Sequence, residues 1–340
     1  MSAESYPKPG GYNIGIKDEA LKKRLMGAEV QWYLDAPAKC SVHLAVDNAQ
    51  LASLSPKSFP ESTSVDWKGA NVFQGYLTGY QQTNGNRLTL VYEDALSLVK
   101  KTFDHSFVKT NSLSSVLDTV CGLAKISTEM KGDFSTQVPS FSLEGRSLFD
   151  HLIDLGQRYG FFFTADQKGD RLQLIRVGSN TGETTIDLSK ESHQTQLEAT
   201  SQHLYEKLKV KYFDAKNLDA TEKEMGSSQL YSKIASYQEH SGYSAKKDWR
   251  TAQATLGVHS NDTEHFEGAE NIIPFQLSKL AMQQETLKLS CFMPGIVPGK
   301  TLKVESPVAK HITAGKYFVL GAHYQFMSAI PKVTVLGVRA

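Results

Sequence analysis

The sequence has almost no net charge, with 37 lysines and arginines against 36 aspartates and glutamates. Proteins that hold nucleic acid carry a basic patch or stripe; none stands out here, and sequence-specific nucleic-acid binding is not expected. Long apolar runs are missing as well, and nothing approaches the roughly 20 consecutive apolar residues of a membrane-spanning helix. The opening residues, MSAESYPKPGGYN, have neither the basic nor the apolar region of a secretory signal, so synthesis and folding in the cytoplasm are expected. Cysteine is scarce: Cys40, Cys121 and Cys291 lie far apart on separate apolar stripes. An odd, scattered set argues for buried thiols over a disulfide frame or a zinc site.

Catalytic signatures are equally thin. There is no Gly-x-Ser-x-Gly elbow, no His-Glu-x-x-His and no dinucleotide fingerprint. Gly295-Ile-Val-Pro-Gly299-Lys300-Thr301 imitates a phosphate loop, but it has three residues between its glycines where the loop needs four. It also leads into a strand pattern, whereas a phosphate site needs a helix N-terminus. His259 and His265, near Asp262 and Glu264, match no helical ligand spacing. Glu93 and Asp94, if both lie in a strand, point to opposite faces and cannot share one substrate. The expectation is therefore no catalytic, cofactor-binding or metal site, and a binding or structural role.

What the sequence does contain is clearest from Ser147 to Ile175. Ser147 is placed to cap a helix, and Asp150 can reach back to the cap in the manner of a capping box. Leu148, Phe149, Leu152, Ile153 and Tyr159 recur at helical spacing. Gly160 supplies the left-handed stop. Phe161–Phe163 then read as a strand, Gln167–Asp170 as a turn with Gly169 free to take a positive φ, and Arg171–Ile175 as the return strand. This stretch resembles the middle of the baseplate hub proteins of contractile phage tails, the late-control D family, whose relatives form the hub part of VgrG-type spikes in type VI secretion.

Other segments carry the same resemblance. Val30, Trp32 and Leu34, then Cys40, Val42, Leu44 and Val46, alternate as a hairpin with one buried face. Its run LDAPAKCSVHL is similar to the family's first long hairpin. Val72–Tyr80 reads as a strand, Asn84-Gly85 as a tight turn and Leu88–Tyr92 as the return. Gly75 and Gly79 mark bulges or bends. FQGYL at Phe73–Leu77, followed by Glu93-Asp94-Ala95-Leu96, resembles a family strand. Asn111 or Ser112 opens a helix bearing Leu113, Val116, Leu117, Val120 and Leu123, and Val138–Glu144 alternates weakly. Pro274 starts a further helix. Strands follow at Leu287–Met293, Lys300–Val304, Lys316–His323 and Lys332–Val338, where a Pro-Gly turn and a Gly-x-Tyr-x-Val strand again resemble the family.

Two patterns admit two readings each. Lys207, Lys209 and Lys211 alternate with Leu208, Val210 and Tyr212, either as a solvated face that discourages edge pairing or as a face lining a channel or meeting an anionic partner. Tyr231, Tyr237, Tyr243 and Trp249 lie in a polar stretch without period, either packing on their own domain or anchoring a partner. An internal echo links Gly75-Tyr-Leu-Thr-Gly-Tyr and Leu88-Thr-Leu-Val with Gly315-Lys-Tyr-Phe-Val-Leu-Gly and Val333-Thr-Val-Leu. It is either chance or duplication.

The expected fold is α+β, mainly β, with two similar small β-barrel domains joined by an α+β connector. The boundaries are a lead at 1–27, a first barrel at 28–104, a connector at 105–178 and a second barrel at 179–340 with a polar insertion at 214–271. The resemblance spans most of 28–213 and 274–340. It implies a homotrimeric adaptor between a hexameric inner tube and a separate spike protein, lining part of the channel and meeting a tape-measure or cargo protein. Such a chain would be assembled in the bacterial cytoplasm into a phage tail, tailocin or injection particle. The alternative class is a monomeric β-sandwich adhesin or carbohydrate-binding module using the exposed aromatics, and a weaker one is a peptidoglycan hydrolase.

Overall fold

The computed structural model describes residues 11–16, 18–46, 59–83, 86–169, 171–176, 179, 181–190, 192–199, 205–214, 219–226, 252–257, 285–306, 314–327 and 330–339. The chain opens with β1 (Tyr12–Ile14), α1 (Glu19–Lys22), β2 (Leu25–Tyr33), β3 (Lys39–Ala45), β4 (Ser62–Trp67), β5 (Ala70–Thr83), β6 (Arg87–Glu93) and α2 (Leu96–Lys101). Its middle holds β7 (Phe107–Val108), β8 (Asn111–Ser112), α3 (Leu113–Leu123), β9 (Ser127–Lys131), β10 (Gln137–Val138), β11 (Phe141–Ser142), α4 (Leu148–Tyr159), β12 (Phe161–Ala165) and β13 (Arg171–Arg176). The last part comprises β14 (Glu183–Asp187), β15 (Ser192–Ala199), β16 (Tyr205–Asp214), β17 (Asp219–Gly226) and β18 (Ala252–Gly257). It closes with β19 (Glu285–Cys291), β20 (Thr301–Glu305), β21 (Gly315–Gln325) and β22 (Lys332–Arg339). The fold is mainly β, as the alternation of the sequence implies.

Period-two alternation decides which side chains go inside. Cys40, Val42 and Leu44 of β3, Leu88, Leu90 and Tyr92 of β6, Leu287, Leu289 and Cys291 of β19, and Val333 and Val335 of β22 all join one buried core. Their odd-even neighbours stay at least partly exposed in β6 and β19, where Thr89 and Ser290 hold cross-strand hydrogen bonds. Cys40, Cys121 and Cys291 are buried, free thiols. Burial raises the pKa of Cys121 to about 12, so it holds its proton at neutral pH.

A second core fills the middle. Val116, Leu117 and Val120 of α3 and Leu148, Leu152 and Leu155 of α4 meet Phe161 and Phe163 of β12 and Leu172 and Leu174 of β13, with Leu96 and Val99 of α2 alongside. β13 is the central strand of a three-stranded sheet, antiparallel to β12 and parallel to β9. Helix α4 starts and ends where its sequence dictates. The Ser147 hydroxyl accepts the Asp150 N–H, the Asp150 carboxylate accepts the Ser147 N–H, and Gly160 takes φ 67° at the C-cap. Helix α3 is capped by Ser112, which accepts from the Ser115 N–H. The weak alternation of Val138–Glu144 gives only two short ladders, β10 with β8 and β11 with β7. The lead holds β1, which pairs with β4. Asn84-Gly85 and the helix expected at Pro274 lie outside the described residues.

The remaining strands other than β16–β18 form one 12-stranded sheet in the order β1-β4-β5-β6-β3-β2-β21-β22-β19-β15, with β20 on β21 and β14 on β20. β16 sits between β17 and β18 in a separate sheet.

Candidate functional site

The large sheet is one unit used twice. In chain order the first half contributes β1, β2, β3, β4, β5 and β6, and the second contributes β14, β15, β19, β20, β21 and β22. Counting each set from one to six, both are hydrogen-bonded in the order 1-4-5-6-3-2. Four of the five pairings in each half are antiparallel in both halves; the fifth differs, since β1 runs antiparallel to β4 and β14 parallel to β20. Two irregularities coincide too, while the shift of β4 against β5 between Val65 and Asp66 has no counterpart between β20 and β21. β5 shifts register against β6 between Leu77 and Gly79, and β21 against β22 between Val319 and Gly321. β2 shifts against β3 between Leu25 and Gly27, and β15 against β19 between Ser192 and Gln194. A β-bulge re-aims the strand beyond it, and matching bulges give both halves the same bends.

Individual positions follow. Leu88-Thr89-Leu90-Val91 opposes Leu44, His43, Val42 and Ser41, just as Val333-Thr334-Val335-Leu336 opposes Cys291, Ser290, Leu289 and Lys288. The same cross-strand side-chain hydrogen bond recurs: His43 Nδ1 to Thr89 Oγ1 at 3.0 Å, and Ser290 Oγ to Thr334 Oγ1 at 3.0 Å. The echo seen in the sequence is therefore a structural equivalence, with Gly79 answering Gly321. Gly75 and Gly315 are not partners in it.

The halves meet where β2 lies antiparallel to the second part of β21, from Tyr33 opposite Gly321 to Glu29 opposite Gln325. Gly321 lets the Tyr33 ring lie close against β21: a Cβ there would stand 2.1 Å from the ring, which would have to move away. The turn after β2 also grips the connector. Asp35, at φ 58°, donates its N–H to the Phe163 carbonyl at 2.8 Å and accepts the Phe163 N–H on Oδ1 at 2.9 Å. Trp32 Nε1 donates to Thr164 Oγ1 at 2.7 Å in the interior. The Leu-Asp-Ala-Pro turn is thus a fixing point between two cores, a role its sequence alone did not disclose.

Groups that suggested chemistry are committed to the scaffold. Asp94 is buried and accepts the N–H groups of Ala38 at 2.9 Å and Leu96 at 3.0 Å, tying the first hairpin to α2. Burial pushes its pKa up to about 7 against the pull of those two bonds, and the Glu93 charge adds to the rise. Around Gly295–Thr301 the backbone N–H groups of Gly299, Lys300 and Thr301 go to the carbonyls of Val319, Val297 and Gly182. None of those three is left for an anion, and the segment runs into β20. A shallow cleft beside α4 is lined by Phe141, Ser142, Arg146, His151, Asp154 and Arg158. Arg146 is paired with Asp154, and the Ser142 hydroxyl accepts the Glu144 N–H. Burial lowers the His151 pKa and keeps its ring neutral at pH 7.

Lys207, Lys209 and Lys211 stand on β16 opposite Gly226, Glu224 and Glu222 of β17. Because β16 is the central strand of its sheet, protection of an edge is not the reason for this lysine pattern. Tyr231, Tyr237, Tyr243 and Trp249, like His259, Asp262, Glu264 and His265, lie outside the described residues. Among the described residues no three of His, Cys, Asp and Glu converge as a metal would need, and no helix is long and apolar enough to cross a membrane.

No protein-family model matches the sequence, and no curated protein does. Solved structures do. A 43 kDa tail protein of prophage MuSo2 from Shewanella oneidensis superposes with a TM-score of 0.70 at 14% identity, covering 97% of this chain and 98% of that one. A tail protein from Neisseria meningitidis MC58 gives 0.69 at 12% identity, with 96% of each chain covered. The Escherichia coli c3393 protein, a type VI secretion component described as similar to the T4 tail proteins gp27 and gp5, gives 0.58 at 10% identity over 96% of this chain and 77% of that one. The fold of this chain, from the first hairpin to the last, is that of prophage tail proteins, shared with a type VI secretion component.

Proposed function

We propose that this chain is the baseplate hub of a contractile tail or related injection device, a homotrimeric adaptor between the hexameric inner tube and a separate trimeric spike. The observation that carries this reading is the repeated 1-4-5-6-3-2 unit. Three chains, each offering the unit twice, present six similar surfaces to a sixfold tube while keeping threefold symmetry toward the spike. The division into a first barrel up to 104, a connector at 105–178 and a second barrel at 179–340 belongs to the same proposal, with the lead at 1–27 joining the first barrel through β1 and the start of β2 and the segment at 214–271 as an addition to the second. Within it, Lys207, Lys209 and Lys211 form a face toward the channel or an anionic partner, and Tyr231, Tyr237, Tyr243 and Trp249 anchor contacts with neighbouring proteins. A tape-measure or cargo protein is the further partner. The chain performs no catalysis in this role, which accords with a buried Asp94 and with the N–H groups of Gly299, Lys300 and Thr301 spent on the scaffold.

Light-scattering mass, measured for the chain alone and mixed with the spike protein of the same particle, tests the reading. Three chains per assembly are expected in at least the second condition. A single-chain mass in both supports the monomeric adhesin instead.

A further inference from the structure

The cleft beside α4 is built by the connector, and it holds a polar atom that the fold does not use. Val138, Pro139 and Phe141 line it from the β10–β11 segment, and Leu155 and Tyr159 from α4. His151, on the same helix, also lines it and is only 7% exposed. Its ring bonds the Leu143 carbonyl, and since Nε2 has no partner, Nδ1 is the donor there. Burial keeps the ring neutral, so Nε2 keeps an acceptor lone pair. A buried polar atom without a partner is uncommon and calls for a donor. The cleft measures about 170 Å³. One water takes only about 30 Å³ of liquid, whereas an apolar cavity of about 150 Å³ admits benzene, so an aromatic ring fits where a single water would not fill the space. The lining carries two exposed cations, Arg158 and Arg146, against the carboxylate of Asp154 that Arg146 pairs with. Beside them Phe107 stands directly opposite Ser142 in the β7–β11 ladder and is 64% exposed. Directly opposed residues share a face of the sheet, so this apolar side chain flanks the cleft where Ser142 lines it.

We propose that this cleft binds a tyrosine side chain carried by an extended acidic segment of another protein, with the phenol O–H donating to His151 Nε2. Each part of that ligand answers a feature of the site. The ring packs among Pro139, Phe141 and Leu155, where aromatic pairs gain from offset or edge-on contact. The hydroxyl supplies the donor that the neutral imidazole lacks. Phenylalanine has no such donor, serine is too small to fill the space, and the surplus of guanidinium over carboxylate opposes an ammonium group. Acidic neighbours of the tyrosine meet Arg146 and Arg158 in charge-assisted hydrogen bonds. In an extended segment the residue two places along lies on the same face, and there it reaches Phe107. The Phe141 ring lies against the imidazole, 5.7 Å between centroids and tilted by 36°. It is only half-buried, and it turns aside as the phenol enters. The site draws on connector residues alone and does not depend on the trimeric reading.

Calorimetric titration of the full chain with two acetylated and amidated pentapeptides, EDYDE and EDFDE, tests the proposal. EDYDE is expected to bind about 5–10-fold tighter than EDFDE, the contribution of one hydrogen bond to a buried acceptor. His151→Phe keeps a ring in place and removes Nε2, and in that variant the two peptides are expected to bind alike, so the preference is assigned to one atom by a double-mutant comparison. Where loss of the bond to Leu143 unfolds that variant, Arg158→Glu, a change on the exposed rim, takes its place. It is expected to weaken both peptides several-fold and leave their ratio unchanged, with an effect that shrinks as salt is added. Equal affinities of the two peptides for the parent chain overturn the site. So does a tyrosine preference that persists in His151→Phe, an Arg158→Glu variant that binds as the parent does, or a failure of EDYDE to saturate the chain at millimolar concentration. None of these results changes the mass of the assembly, so the hub reading stands or falls separately.

Discussion

Asp94 is the residue at which burial and hydrogen bonding are most directly opposed. Its two backbone donors favour the carboxylate, while loss of water favours the acid, and the second effect is the larger, leaving the pKa at about 7. The unfolded chain gives up this proton near pH 3.9. Between those values the folded state binds more protons than the unfolded state, and stability falls as pH rises. Asp94's contribution is complete below about pH 4 and gone above about pH 7. Urea midpoints of the wild type are accordingly expected to fall across this window by more than those of Asp94→Asn, whose side chain does not titrate. The difference in stability accumulated across the window should be on the order of 4 kcal/mol. Parallel curves would mean that the two N–H bonds, and not burial, set the ionisation. Nothing in the sequence around Glu93-Asp94 announced this, because the donor at Ala38 is 56 positions away.

At the scale of the element, α4 and its hairpin are the part most fully legible beforehand, and the reason is locality. Ser147, Asp150, Gly160 and Gly169 act on backbone groups within a few residues of themselves, so their pattern carries the structure. Ser147→Ala removes the oxygen that accepts the Asp150 N–H and breaks the reciprocal bond. A loss of about 1 kcal/mol is expected, read as a lower urea midpoint with unchanged slope. An unaltered midpoint would show that packing of Leu148, Leu152 and Leu155 alone holds the helix. Strands were legible as strands for a similar local reason, since alternation says which face is buried. Alternation does not say which strand lies alongside. That is why β16 could be read as a lysine-guarded edge although it is a central strand, and why Val138–Glu144 could be read as one strand although it makes two brief ladders.

At the scale of the whole molecule, the echo between Leu88–Val91 and Val333–Leu336 was visible, but its architectural meaning was not. Two copies of a β unit could fold as separate bodies; here β2 on β21 makes them one sheet, and their apolar faces line one core. Trp67 at the end of β4 shows the consequence. Its indole meets the Tyr324 ring edge-on at 6.2 Å and the Phe326 ring at 5.9 Å, and Tyr12 reaches Phe326 at 5.2 Å. Side chains of the first half are thus packed against rings of the second. Trp67→Ala should cost about 3–5 kcal/mol, and the cost should not stay in the half that carries it. Amide exchange is expected to quicken in β21 and β22 as well as in β4 and β5, because opening either half uncovers the other. If exchange quickened in β4 and β5 alone, the halves would be independent folding units. The seam at β2 would then be a contact between finished domains, with no core shared across it.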